Sequence, residues 1–96
     1  MQNKYDNKMI TDAAKLILER ERTHGSYELT AMVAEAIKSS FRLSPNWNSL
    51  PSQQKMSLDL IAVKIARILC GAPNFKDHWD DIEGYAKLGY IKQKKD

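Results

Sequence analysis

Apolar residues recur at three- and four-residue intervals along almost the whole chain, and no stretch alternates with the period of two that a half-buried strand requires. The spacing predicts a first helix over residues 6–22, with Met9, Ile10, Ala13, Leu16 and Ile17 as its stripe and Lys15, Glu19, Arg20, Glu21 and Arg22 mainly outward. It stops at Thr23-His24-Gly25-Ser26, where Gly25 supplies the left-handed turn that ends a helix. Ser26 then offers a side-chain oxygen to the open amides of a second helix over 27–42, whose apolar positions are Leu29, Met32, Val33, Ala36, Ile37 and Phe41.

A segment rich in breakers follows, LSPNWNSLP from Leu43 to Pro51, and reads as a loop with one short helical turn, pinned to the core by Trp47 and Leu50. The third helix, 51–70, is apolar around most of its circumference from Met56 to Cys70, as a helix covered on several sides must be. Pro51 suits its first turn, Gly71 ends it and Pro73 prevents its continuation. Asn74, with Asp77 three residues later, predicts a capped start to a fourth helix over 75–91. On that helix Trp79, Ile82 and Ala86 form the docking face, and Gly84 permits a close helix–helix approach. Four helices with short connections imply an all-α fold, a compact bundle formed by a single domain over 1–96, with a basic end that frays from about residue 92; so apolar a third helix would also benefit from an oligomeric partner.

Composition narrows the class. An apolar fraction of 43% and a charged fraction of 28% fit a folded globular chain and argue against disorder. No apolar run approaches the ~20 residues that span a bilayer, and the polar opening MQNKYDNKMI lacks the apolar core of a signal peptide, so a cytoplasmic location is expected. The single cysteine, Cys70, has no internal partner, which fits a reducing compartment, and its place in IARILC suggests a buried, inert thiol. The net charge of +3 is mild and gathers in the tail at Lys92, Lys94 and Lys95. A nucleic-acid reader more often shows arginines along an ordered face, so direct binding of DNA or RNA is disfavoured.

Polar residues that break the core pattern carry the functional signal. After Met56 the third helix holds only Asp59, Lys64 and Arg67 as charges. With Asp59 at zero, Arg67 falls at about 80° and Lys64 at about 140°, so all three share one side. On the fourth helix, with Asp77 at zero, Asp81 lies at about 40° and Tyr85 at about 80°, bordering the apolar face. Packed side by side, the two helices can bring Asp77 and Asp81 to Lys64 and Arg67, as a structural ion-pair network or as the wall of a ligand or metal site. The turn RTHGS adds a second candidate, because the open amides of a helix N-terminus can receive an anion that His24 and the neighbouring Arg20 and Arg22 would reinforce. His24 and His78 are too isolated in sequence to read as a zinc motif. No phosphate loop, nucleophile elbow, paired-cysteine spacing or HExxH string occurs.

Taken together, R-x-T-H-G-S at the first turn, D-L-I-A-V-K-I-A-R and K-D-H-W-D-D-I-E-G-Y-A resemble a family of small phage and prophage proteins over roughly residues 18–90. The matching positions are Arg22, His24 and Gly25, then Asp59, Lys64 and Arg67, then Asp77, Trp79, Asp81, Gly84 and Tyr85, the last helix being the most specific part. That family is similar, more distantly, to the MazG-like all-α nucleotide pyrophosphohydrolases, which use magnesium to split a nucleoside triphosphate and which assemble as dimers or dimers of dimers. The resemblance implies a nucleotide held by Lys64, Arg67, His24, Arg22 and Tyr85, a magnesium ion on Asp77, Asp81 and Asp59, and a homo-oligomer. The chain lacks the E-E-x-x-E helix and the E-x-x-D partner of the MazG-like class, so the same resemblance is as compatible with nucleotide binding alone as with hydrolysis.

Two expectations from different classes follow. A nucleotide-binding protein, with or without magnesium-dependent pyrophosphohydrolysis, requires Lys64, Arg67, Asp77 and Asp81 to converge on one pocket with His24 at its rim; a closed network of pairs among them removes it. A non-enzymatic protein that binds and inhibits a host or defence protein, or sequesters a signalling nucleotide, requires an exposed apolar or aromatic patch, for example around Trp47, Tyr5 and Tyr90.

Overall fold

The computed structural model describes residues 12–92, so the positions of Tyr5, Met9 and Ile10 and of the lysines beyond Lys92 lie outside the described residues. Four helices, α1 (Asp12–His24), α2 (Tyr27–Arg42), α3 (Ser52–Cys70) and α4 (Lys76–Gly89), and one 3-10 turn over Trp47–Ser49 account for the regular structure, with no strand among the described residues. They form an all-α bundle in which α3 packs against each of the other three, most extensively against α4 and then α2. No helix among the described residues is long and apolar enough to cross a membrane.

The first turn is built as its sequence predicts, but α1 continues two residues further and takes in His24. Gly25 then adopts a φ of +80°, and its N–H donates to the Glu21 carbonyl at 2.8 Å. Ser26 is extended and its hydroxyl accepts the amide of Leu29 at 3.4 Å, opening α2. The turn lies directly on the end of α3. A Cβ on Gly25 would stand 2.5 Å from the Cys70 carbonyl oxygen, and one on Gly71 would stand 2.6 Å from both the Gly25 nitrogen and the Thr23 carbonyl oxygen. Two glycines therefore share one crossing point, and the Ala72 amide closes it by donating to the Thr23 carbonyl at 3.0 Å. Cys70 at this crossing is half-buried rather than buried.

Register differs from expectation on two helices. On α2 the covered positions are Thr30, Val33, Ala34, Ile37, Lys38 and Phe41, a stripe of three- and four-residue steps, while Leu29, Met32 and Ala36 remain exposed. The apolar arc of α2 is wider than the face α3 can cover, so one row is left over. On α4 the buried residue is His78, with Asp81, Ile82, Tyr85 and Gly89 partly covered beside it. Trp79, predicted to dock, is 54% exposed and instead donates its Nε1–H to the Pro73 carbonyl at 2.8 Å.

The close approach predicted at Gly84 occurs at Gly89. Nothing lies within 4 Å of a Cβ on Gly84, whereas one on Gly89 would meet the Ser57 Cβ at 2.9 Å. The Asn74–Asp77 capping box does not form either, since Phe75 takes the cap position with no side-chain cap bond and α4 begins at Lys76. Its far end is capped from α3, where Gln53 and Gln54 donate to the carbonyls of Leu88 and Gly89 at 2.6 and 3.1 Å. Trp47 does anchor the α2–α3 connection: it is buried, stacked 5.8 Å from Phe41 and covered by the Arg42 guanidinium at 5.2 Å.

Candidate anion-binding site

Where α1 leaves the body of the bundle, a cavity of 310 Å³ opens between α1, the turn and α3. Ile17, Arg20, Glu21 and His24 line it from α1, Tyr27 from the first turn of α2, and Arg67 from α3. The α1 residues stand at i, i+3, i+4 and i+7, one face of the helix. Extending α1 to His24 puts the imidazole on the same helical face as Arg20, one turn further along. Tyr27 is the site residue that the sequence pattern misses, whereas Arg20 is among the arginines expected to reinforce an anion at this turn. Neither Arg20 nor Arg67 makes an ion pair with a described residue.

His24 is fixed through one ring nitrogen. Its Nδ1 lies 2.6 Å from the Thr23 hydroxyl and 3.2 Å from the Arg20 carbonyl, and the Thr23 hydroxyl donates to that same carbonyl at 3.2 Å. The arrangement is self-consistent with a proton on Nδ1 and the lone pair of a neutral ring on Nε2. Burial, followed by the charges of His78, Arg67 and Arg20, holds the His24 pKa below its ordinary value.

Behind it sits His78, fully buried and edge-on to His24 with ring centroids 4.6 Å apart; Phe75 stands 5.5 Å from His24 and 4.9 Å from His78. His78 donates from Nε2 to the Thr23 carbonyl at 3.2 Å, while its Nδ1 is buried with no partner. The two histidines, isolated from each other in sequence, are thus neighbours in the fold. They are not joined by further donors, because no group of three or more His, Cys, Asp or Glu side chains that could hold a metal ion occurs among the described residues.

The remaining expected site residues are dispersed. Lys64 pairs with Asp81 across α3 and α4 at 2.8 Å, and this hydrogen bond is the main reason the Asp81 carboxyl titrates below its usual range. Arg67, one turn along α3, instead faces the α1–α2 turn. Asp59 faces α2, its Oδ1 3.6 Å from Arg42, close enough for an ion pair but too far for a hydrogen bond. Asp77 is exposed in the first turn of α4. Arg22 is exposed and bonded to Glu19. Tyr85 borders a separate, mainly apolar hollow of 340 Å³ with Leu50, Leu58 and Ile61.

The physical reason for the dispersal is that α2 and α4 flank α3 and divide its three charges between them. Asp59, Asp77 and Asp81 consequently do not fit one magnesium centre within a chain. The geometry defines a small all-α bundle with one cationic cavity at its α1–α2–α3 junction. Compared with known protein families, with curated proteins and with solved structures, the chain returned no match.

Proposed function

We propose that the protein binds a phosphate-bearing small molecule of the nucleotide class in the cavity between α1, α2 and α3. The observation that carries this reading is the convergence of Arg20, His24 and Arg67 on one cavity, with neither guanidinium engaged by a described carboxylate. Guanidinium groups offer paired N–H donors in a fork that matches phosphate oxygens. The first amides of α2 open at the same place, and the Ser26 hydroxyl takes only that of Leu29. Glu21, the one carboxylate on the wall, offsets part of this charge and leaves the cavity positive. Tyr27, 78% exposed at the rim, adds an aromatic face beside the phosphate against which the organic part of a ligand can pack. The distant similarity of the resembled phage proteins to the MazG-like class points to the same ligand class, although of the expected set only Arg67 and His24 line this cavity, Lys64 being paired with Asp81. Magnesium enters as the counter-ion that a nucleotide's phosphates bring.

The test is a thermal-shift series of the purified chain against pyrophosphate and nucleoside mono-, di- and triphosphates and cyclic nucleotides, each with and without Mg²⁺. A ligand at 100 times its Kd stabilises the folded state by about 2.7 kcal/mol, a readily measured shift for a domain of this size. Arg67→Ala is expected to remove the shift. No shift with any phosphate-bearing ligand would eliminate the reading. A second reading, a protein-binding role toward another copy of the chain or a host protein, is favoured by the uncovered apolar rows of α1 and α2.

A further inference from the structure

The anion cavity does not end at Arg67. A second hollow of 180 Å³ shares Tyr27 and Arg67 with it and continues along α2 over Ala31 and Ala34 to Glu35 and Lys38. The chemistry changes along this path. The first lobe is cationic. The second is floored by two alanine methyls three residues apart, and its far end is a Glu35–Lys38 ion pair at 3.6 Å, with the Lys38 side chain only 18% exposed. Thr30, on the same wall, is occupied internally because its hydroxyl donates to the His24 carbonyl at 3.3 Å. An acceptor and a donor whose charges offset each other suit an uncharged polar group, whereas free phosphate would gain nothing there. From Tyr27 to Lys38 the path follows α2 for about 16 Å at 1.5 Å per residue, the reach of an extended organic phosphate rather than of a lone anion.

We infer that the ligand is a two-part organic phosphate lying along α2. Its phosphate occupies the Arg20–His24–Arg67 lobe, and an uncharged ring system, a sugar or a nucleobase, rests on Ala31 and Ala34 with its polar edge toward Glu35 and Lys38. Arg67 stands at the junction and contacts the phosphate nearest the ester. This assignment rests on the anion-binding reading above and adds the orientation and the part of the site that selects the organic group. Ala31 is the residue that sets the depth of the second lobe.

Titration calorimetry with pyrophosphate and a panel of nucleoside diphosphates separates the two levels. At least one nucleoside diphosphate is expected to bind about tenfold or more tightly than pyrophosphate. Ala31→Leu fills the second lobe at an exposed helical position, and leucine is close to alanine in helix propensity. It is expected to erase that advantage while leaving pyrophosphate affinity within about twofold. Glu35→Gln, at the far end of the same lobe, changes which nucleoside is preferred and also spares pyrophosphate.

Arg67→Ala weakens both ligand types. A nucleoside diphosphate that binds no better than pyrophosphate, an advantage that survives Ala31→Leu, or a nucleoside preference unmoved by Glu35→Gln overturns the two-part assignment and leaves the anion site standing. If neither ligand type binds the wild-type chain, the anion site itself falls, and the orientation with it.

Discussion

At His24 the protein has placed an imidazole among like charges. Burial first, then His78, Arg67 and Arg20, disfavour its protonated form, so its folded pKa lies below the ordinary 6.5. As pH falls, the unfolded chain takes up that proton before the folded one does. The stability contributed by neutral His24 is therefore present above 6.5 and is lost as pH drops from there through the lowered folded value. His24→Gln should flatten the acid side of a melting-temperature profile between about pH 7.5 and 5. An anion in the cavity reverses the balance, because it offsets Arg20 and Arg67 and makes the imidazolium favourable. Sulfate, whose own charge is constant across this range, is expected to bind more tightly as pH is lowered from about 8 to 6 in the wild type and not in His24→Gln; calorimetry showing no pH dependence in the wild type would place the anion elsewhere. The next residue is equally constrained for a different reason. Gly25→Ala must hold a side chain at φ +80° with its Cβ 2.5 Å from a backbone oxygen, and a loss of at least about 2 kcal/mol is expected in urea unfolding.

Between helices, the consequence of the α4 register is a pair of glycines with opposite roles. Gly84→Ala adds a methyl to open space in a helix interior and should stabilise by about 0.5–1 kcal/mol, while Gly89→Ala drives one against Ser57 and should destabilise, both read by chemical unfolding. The Lys64–Asp81 pair adds a pH signature at the same interface. Asp81 titrates below its ordinary 3.8, so the pair contributes above that value and its contribution disappears as pH falls through the lowered one; Asp81→Asn should differ from the wild type near neutrality and converge with it in acid. These elements also show which parts of the fold are legible in the sequence. The start of α2 is, because Gly25 and Ser26 are local signals that no distant contact overrides. The face of α4 is not, because what seats His78 is a hydrogen bond to Thr23, 55 residues away, and helical periodicity carries no trace of it. The site divides in the same manner. His24 and Arg67 are visible as polar residues out of pattern, yet their meeting depends on which neighbour of α3 lies on which side, a tertiary choice that also sends Lys64 to Asp81 and Asp59 to Arg42. Arg20 is legible as a cation beside the turn, but its place opposite Arg67 is not.

For the whole molecule, the distribution of apolar surface is the dominant fact. Among the described residues the fully covered apolar side chains are Ala34, Trp47, Ala62 and Ala66, whereas thirteen large ones are at least 45% exposed. α1 contributes no buried residue, and Leu16, Ile17 and Leu18 are 60%, 57% and 65% open. Most helical stability comes from a packed face, and the described part of α1 buries none, so a cover on its apolar row would stabilise it. The leftover row of α2, Leu29 and Met32, is of the same apolar character and belongs to the adjoining helix, which favours a symmetric pair in which the α1 and α2 rows of two chains cover one another. Light scattering is then expected to give twice the chain mass of 11.0 kDa, and the melting temperature should rise with protein concentration. Leu18→Glu places a charge in the proposed interface without touching the cavity lining; it should yield monomers with a lower melting temperature. Because α1 also carries Arg20 and His24, those monomers should bind phosphate ligands more weakly although both residues are intact. A wild-type chain that is monomeric, with a melting temperature independent of concentration, would assign the apolar rows to a different protein, and the affinity of Leu18→Glu for phosphate ligands would then match that of the wild type.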